Sequence, residues 1–307
     1  MIQYLKSSAQ KPHLTEMPSY QKGSWLRLEN PTPAEVDEIV ERLGLDRDIV
    51  TDALDPYEIP RIELVNRTTY FIIRIPRADN ATNDFSIPLM FIMHQDCLVS
   101  ICRESLQRIW QPFIEATGAI TTQRSQLLIL MLEDIVKNYQ QKIAIINKEM
   151  RVATTDIMKL KPKDIAVFVE HERILNDYLD ALLPSNDALE KLLGGNYIKI
   201  FQDDKELVED LSIEFEQIIA RCKSLLRTIT STRDSYRALM DTRLNESIWL
   251  LTIITLAFTV PTMIAGLYGM NVKLPGNVDS PLTFWVIVLI SALTSASLAY
   301  YFLKKRR

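Results

Sequence analysis

Two long stretches near the C-terminus contain no charged residue. None occurs between Glu246 and Lys273, a run of 26 residues, or between Asp279 and Lys304, a run of 24. A helix needs about 20 apolar residues to cross a hydrocarbon core of about 30 Å, so each run spans a bilayer once. Lipid offers the backbone no hydrogen-bond partner, which makes both runs helical. The chain is therefore read as an integral membrane protein with most of its mass outside the lipid.

The other signals exclude several classes. With 35 Lys plus Arg against 39 Asp plus Glu, the net charge of −4 gives no basic footprint for a nucleic-acid partner. The 47% hydrophobic content excludes wholesale disorder, and 8 Gly with 14 Pro exclude collagen-like sequence. Cys97, Cys102 and Cys222 are odd in number and form no Cys-x-x-Cys pair, so neither a disulfide scaffold nor a structural zinc site is expected. Met1 to Gln10 lack an apolar core, so no cleaved signal peptide is expected. Beyond the second span lie Lys304, Lys305, Arg306 and Arg307, whereas Gly269 to Pro281 hold one Lys and one Asp. The positive-inside rule places the tail, and with it the N-terminal part, in the cytoplasm, and the two spans are expected in the plasma membrane.

Three regions follow: 1–120 as an α/β cytoplasmic domain, 121–246 as a helical domain, and 247–307 as a two-helix transmembrane domain with a basic tail. Thr32-Pro33-Ala34-Glu35 forms a capping box with Pro at the first helical position, opening a helix that ends near Gly44. A short helix is predicted from Asp46 to Leu54. Strands are predicted over Arg61–Val65, Thr69–Ile75, Phe85–Met93 and Cys97–Cys102, with Pro60, Pro76 and Pro88 marking strand ends or edges. Helices are predicted over Ser125–Leu160 and Lys163–Leu183, the second bounded by Pro162 and Pro184, with a short segment at Ala188–Leu193 before Gly194-Gly195. Between Gly195 and Pro261 no Gly or Pro occurs across 65 residues. Asp203 with Glu206 can cap the start, and a helix from there to Gly266 is about 95 Å long at 1.5 Å per residue. It runs as a stalk into the first span, longer than a globular core requires.

Within that span Thr252, Thr255, Thr259, Thr262, Gly266 and Gly269 are spaced 3, 4, 3, 4 and 3, and Asn245 lies seven before Thr252. This is a heptad-like stripe on one face. On one reading the stripe packs helices closely, with Thr hydroxyls bonding back to their own carbonyls. On the other it lines an aqueous path, which a single hairpin cannot enclose and a symmetric ring of chains can.

Directly after the span stands Tyr268-Gly269-Met270-Asn271. At this position, behind an α/β domain and a very long helix, it resembles the Gly-Met-Asn signature of the CorA family of magnesium channels. The resemblance implies an α+β membrane protein assembled as a funnel-shaped homopentamer. In it the stalk helix continues into the first of two C-terminal spans, the first span lines the pore and the second forms an outer ring. It implies a selectivity filter at Gly269, Met270 and Asn271. The pore is then lined by Asn245, Ile248, Leu251, Thr252, Thr255, Thr259, Thr262 and Gly266, with Ile248 and Leu251 as an apolar constriction that gates by dewetting. Gly269 is expected to permit the backbone turn that leaves the helix. Neutral oxygens suit Mg²⁺, which dehydrates reluctantly and keeps several waters.

The loop departs from the family pattern. Family members often carry an acidic residue after Gly-Met-Asn, whereas Val272, Lys273, Leu274, Pro275, Gly276 and Asn277 follow here and Asp279 alone is acidic. Salt screens such exposed charge beyond about 8 Å. The family also senses cytoplasmic Mg²⁺ between subunits. Gap-free counting from Asn271 places that carboxylate at Asp210, in an acidic stretch with Glu206, Glu209 and Glu214, and its partner at Asp79 or Asp84. The alternative is an ordinary solvated helix face. His13, His94 and His171 lack metal-ligand spacing, and no phosphate loop or nucleophile elbow occurs, so no enzyme and no organic cofactor are expected. Transported and regulatory Mg²⁺, lipid and other copies of the chain are the expected partners. A Zn²⁺, Co²⁺ or Ni²⁺ transporter of the same family and a membrane-anchored sensor or scaffold without flux are the alternatives.

Overall fold

A computed structural model of the chain describes residues 2–8, 11–77, 84–116, 119–155, 157–200, 204–270 and 281–305. It opens with three strands, β1 (Ile2–Ser8), β2 (Lys11–Met17) and β3 (Trp25–Glu29), followed by helices α1 (Pro33–Leu43) and α2 (Arg47–Asp52). Strands β4 (Arg61–Val65), β5 (Thr68–Pro76), β6 (Ser86–Met93) and β7 (Leu98–Cys102) come next. Helices α3 (Gln107–Ala116), α4 (Arg124–Thr154), α5 (Pro162–Leu193), α6 (Lys205–Tyr268) and α7 (Pro281–Lys305) complete the chain. Contacts divide it into two units, Met1–Thr232 and Arg233–Arg307.

The first unit is built on a seven-stranded sheet of order β2-β1-β3-β7-β6-β5-β4. Every pairing is antiparallel except β3 with β7, where Trp25 lies opposite Leu98 and Glu29 opposite Cys102. Alternation along the strands divides the core. Leu26, Leu28, Tyr70, Ile72, Met90, Ile92, Val99 and Ile101 pack with Val36, Ile39 and Leu43 of α1 and Ile49 and Val50 of α2. The alternate residues point to the other face, where Trp110 and Phe113 of α3 meet Trp25 edge-on at 5.5 and 6.1 Å. Trp25 Nε1 donates to Ser100 Oγ at 2.9 Å, so the wholly buried indole keeps a polar partner. Helices α4 and α5 extend this layer, and Tyr139 hydroxyl donates to the Arg74 carbonyl at 3.0 Å.

Local rules account for several elements. The α1 capping box forms as predicted: Glu35 N–H donates to Thr32 Oγ1 at 3.3 Å and Thr32 N–H to Glu35 Oε2 at 2.8 Å. Gly44 closes α1 at φ 61° in the left-handed region. The four predicted strands are observed with ends within one residue.

The structure departs from expectation at β1 to β3 and at Pro184. The segments that form β1 to β3 carry no prediction, yet they build nearly half the sheet. Pro88 lies inside β6, opposite Arg74 of β5, and takes the edge placement, one of the two expected for it. Strand β7 pairs with β6 from Met90 to Met93, so Pro88 sits where β6 has one neighbour and its missing N–H costs no ladder bond there. Pro184 does not end a helix, because α5 runs through it to Leu193 and absorbs the segment from Ala188. A proline inside a helix costs about 3 kcal/mol. Burial of Ala181, Leu182, Ser185, Ala188 and Leu189 on either side of it offsets that cost. The capping role given to Asp203 lies outside the described residues.

Candidate functional site

Helix α6 is 64 residues long, and from Ser247 to its end at Tyr268 it carries no charge. Both α6 and α7 contain a segment long and apolar enough to cross a membrane, and the rest of the protein covers almost nothing of either. A core helix of a water-soluble fold has the opposite property, being apolar because it is covered.

The stripe residues on α6 share one exposed face. Asn245, Thr252, Thr255, Thr259, Thr262, Gly266 and Gly269 are all exposed, and Ile248 and Leu251 beside them are 52% and 64% exposed. The covered face is elsewhere: Ile253 is 7% exposed, and Ala257, Val260 and Ile264 are half-buried. At 3.6 residues per turn this covered face lies roughly 150° from the Thr stripe. It faces α7, whose Ile287, Ser291, Ser295, Leu298 and Phe302 are half-buried in turn, and Ser295 Oγ donates to the Ala257 carbonyl. Helix α7 therefore leaves the stripe open.

Each Thr hydroxyl on the stripe donates to its own helix. Thr252 bonds to the Ile248 carbonyl at 2.9 Å, Thr255 to Leu251 at 2.9 Å, Thr259 to Thr255 at 2.8 Å and Thr262 to Phe258 at 2.8 Å. With its proton used inward, each hydroxyl presents only oxygen lone pairs outward. The face is thus a column of neutral acceptors. Water coordinated to a cation presents hydrogens outward, which is the complementary surface.

Gly269 ends the helix through a close backbone pass. It is not in the left-handed region, where Gly23, Gly44 and Gly195 are found. Its N–H donates to the Ala265 carbonyl at 3.0 Å and the Gly266 carbonyl at 3.3 Å, and an added Cβ would stand 3.3 Å from the Ala265 oxygen. The missing side chain permits this close pass. Met270 follows, 53% exposed. Asn271, Lys273 and Asp279 lie outside the described residues.

The candidate sensor carboxylates Asp210 and Asp84 lie in two separate neighbourhoods. Asp210 is exposed on α6, and with Glu214 it faces Glu133 of α4. Burial raises the Glu133 carboxyl above the usual carboxylate range, Lys137 opposes that shift, and Glu214 and Asp210 add to it. Asp84 is half-exposed before β6, where its carbonyl accepts from Arg77 Nη1 at 3.0 Å, and its charge acts on Asp177 of α5. Burial is the main cause that raises Asp177. Among the described residues no three His, Cys, Asp or Glu side chains are grouped to hold a metal. Asp79 lies outside the described residues. Sequence reasoning missed Glu133 and Asp177, although a carboxylate within the apolar run Leu127–Val136 was the available signal for the first.

Residues 20–306 match the family model described as CorA-like Mg2+ transporter protein. The chain belongs to this family. The cobalt/magnesium transport protein CorA of Methanocaldococcus jannaschii is 24% identical over 286 residues, covering 91% of this chain and 89% of that protein. The zinc transport protein ZntB of Pectobacterium carotovorum is 20% identical over 290 residues, covering 92% and 86%. The complete structure of the M. jannaschii CorA magnesium transporter superposes with a TM-score of 0.85 at 20% identity, over 98% of this chain and 96% of that one. The CorA fold thus extends over nearly the whole chain, including both apolar helices.

Proposed function

We propose that this CorA-family chain is the subunit of a homopentameric channel for electrophoretic Mg²⁺ uptake across the plasma membrane, with both termini cytoplasmic. The column of outward-facing neutral oxygens on α6, opposite the face that meets α7 and leading to Tyr268-Gly269-Met270-Asn271, carries this reading. Five such columns around an axis form a lumen of acceptors matched to hydrated Mg²⁺. Gly269, Met270 and Asn271 form the filter. Thr262, Thr259, Thr255, Thr252, Gly266 and Asn245 line the path, and Leu251 and Ile248 form the apolar constriction. No carboxylate stands in the span to trap a divalent ion. At about −100 mV inward movement of a divalent ion is favoured by about 4.6 kcal/mol, so no coupled reaction is needed.

The test is uptake by the purified oligomer in liposomes at about −100 mV, read by a Mg²⁺ dye, with Zn²⁺, Co²⁺ and Ni²⁺ in parallel. Mg²⁺ accumulation supports the channel. Zn²⁺ flux in its place supports the zinc transporter, and an intact oligomer with no flux supports a scaffold.

Cytoplasmic Mg²⁺ closes this channel by bridging Asp210 to a carboxylate of the adjacent subunit, Asp79 or Asp84. The exposure of Asp210 supports this role, because the carboxylate is open to another copy. When the ion leaves, like charges repel and the ring loosens. Asp210→Ala channels are expected to keep conducting at internal Mg²⁺ concentrations that close the parent. Closure at an unchanged concentration would remove Asp210 from the mechanism.

A further inference from the structure

Pro261 lies inside α6 and has no N–H, so the Ala257 carbonyl four residues earlier loses its helical partner. In a bilayer such a carbonyl finds no water, and it must be satisfied by the protein. The partner is Ser295 of α7, whose hydroxyl donates to that carbonyl. Its neighbour Thr294 behaves in the ordinary way, donating to the Ile290 carbonyl at 2.9 Å and the Ser291 carbonyl at 3.0 Å on its own helix. Ser295 instead reaches across. Ala257 is small enough to let the two helices meet there.

We propose that Ser295 is a positioning residue for the ion path, replacing across the helix pair the backbone bond that Pro261 removes. The contact lies one turn or less from Thr255 and Thr259 along α6, on the side away from them. It fixes the rotation of α6 about its axis against α7, and that rotation determines whether those two hydroxyls face the lumen. Pro261 removes one bond from the α6 ladder and proline is where helices kink, so without Ser295 that turn of α6 has one tie fewer. This role rests on the channel reading for its functional consequence, whereas the bond itself does not.

The test is a double-mutant cycle on the full-length oligomer in lipid, with Ser295→Ala, Pro261→Ala and the pair. Three quantities are read: the amide I frequency of a ¹³C=¹⁸O label at Ala257, the helix-pair folding equilibrium, and Mg²⁺ flux. Ser295→Ala is expected to raise the label frequency, to weaken the folding equilibrium about three- to twentyfold as interhelical hydrogen bonds in membranes do, and to lower flux. In the Pro261→Ala background position 261 regains its N–H, so adding Ser295→Ala then changes neither the frequency nor the equilibrium. Ser295→Thr keeps the hydroxyl and is expected to retain parental flux. An unshifted label in Ser295→Ala overturns the proposal, as does an equal loss from Ser295→Ala with alanine or proline at 261. If the parent oligomer conducts nothing, the channel reading fails while the frequency and folding arms still decide the bond.

Discussion

Replacing Asn271 by alanine is expected to reduce Mg²⁺ uptake into liposomes at least a thousandfold, to background, while the oligomer stays intact in lipid. In the proposed pentamer one substitution removes five carboxamides at once. A neutral hydrogen bond is worth about 1 kcal/mol net, so five acceptors lost to one hydrated ion amount to about 5 kcal/mol. At 1.36 kcal/mol per tenfold change this corresponds to more than three orders of magnitude in rate. The loop offers little to take over, since Lys273 repels a cation and Asp279 is its one acid. Asn271→Asp tests the sign of the effect. A ring of carboxylates binds the ion more tightly and releases it more slowly, so the variant is expected to show tighter Mg²⁺ block and still lose flux. Undiminished uptake by Asn271→Ala would falsify the filter assignment and leave the Thr column as the selective element.

The membrane part was the most legible in the sequence, because charge is costly in lipid and its absence over 26 and 24 residues has few other causes. The first helix was legible for a local reason. Thr32 and Glu35 satisfy each other's backbone, and Gly44 supplies the left-handed cap. Strands β1 to β3 were not legible, since β1 and β2 form a local hairpin rich in polar residues and β3 depends on a distant partner. Trp25 pairs with Leu98 across more than seventy residues, while β2 carries Lys11, Pro12 and Glu16 and is tolerated as an edge. Pro184 misled because a local rule was outweighed by burial on both sides of it. At the site, the 3-and-4 spacing gave the Thr face but not its surroundings. Helix α7 is apolar on nearly every side, so no periodicity marks the side that meets α6, and the bond from Ser295 to Ala257 emerges only once the two helices are placed together.

Leu251→Asn is expected to make the channel leak, raising Mg²⁺ uptake at closing internal Mg²⁺ concentrations about tenfold or more. Leu251 is 64% exposed and Ile248 52%, both beside Thr252 on the open face of α6, and burial within the chain explains neither. In the proposed ring of five they would narrow the path with apolar side chains, and water leaves a short apolar constriction before it closes sterically. A leucine side chain represents about 2 kcal/mol of apolar surface, so five asparagines remove a dewetting barrier of about 10 kcal/mol at most. Leu251→Ile keeps the apolar surface and is expected to stay closed. The same pair of variants separates gating from packing. If Leu251 only joined neighbouring helices, Leu251→Asn would weaken the assembly, lower its melting temperature and leave no leak in the surviving oligomers. A leak from a fully assembled ring is therefore the result that places Leu251 at the gate.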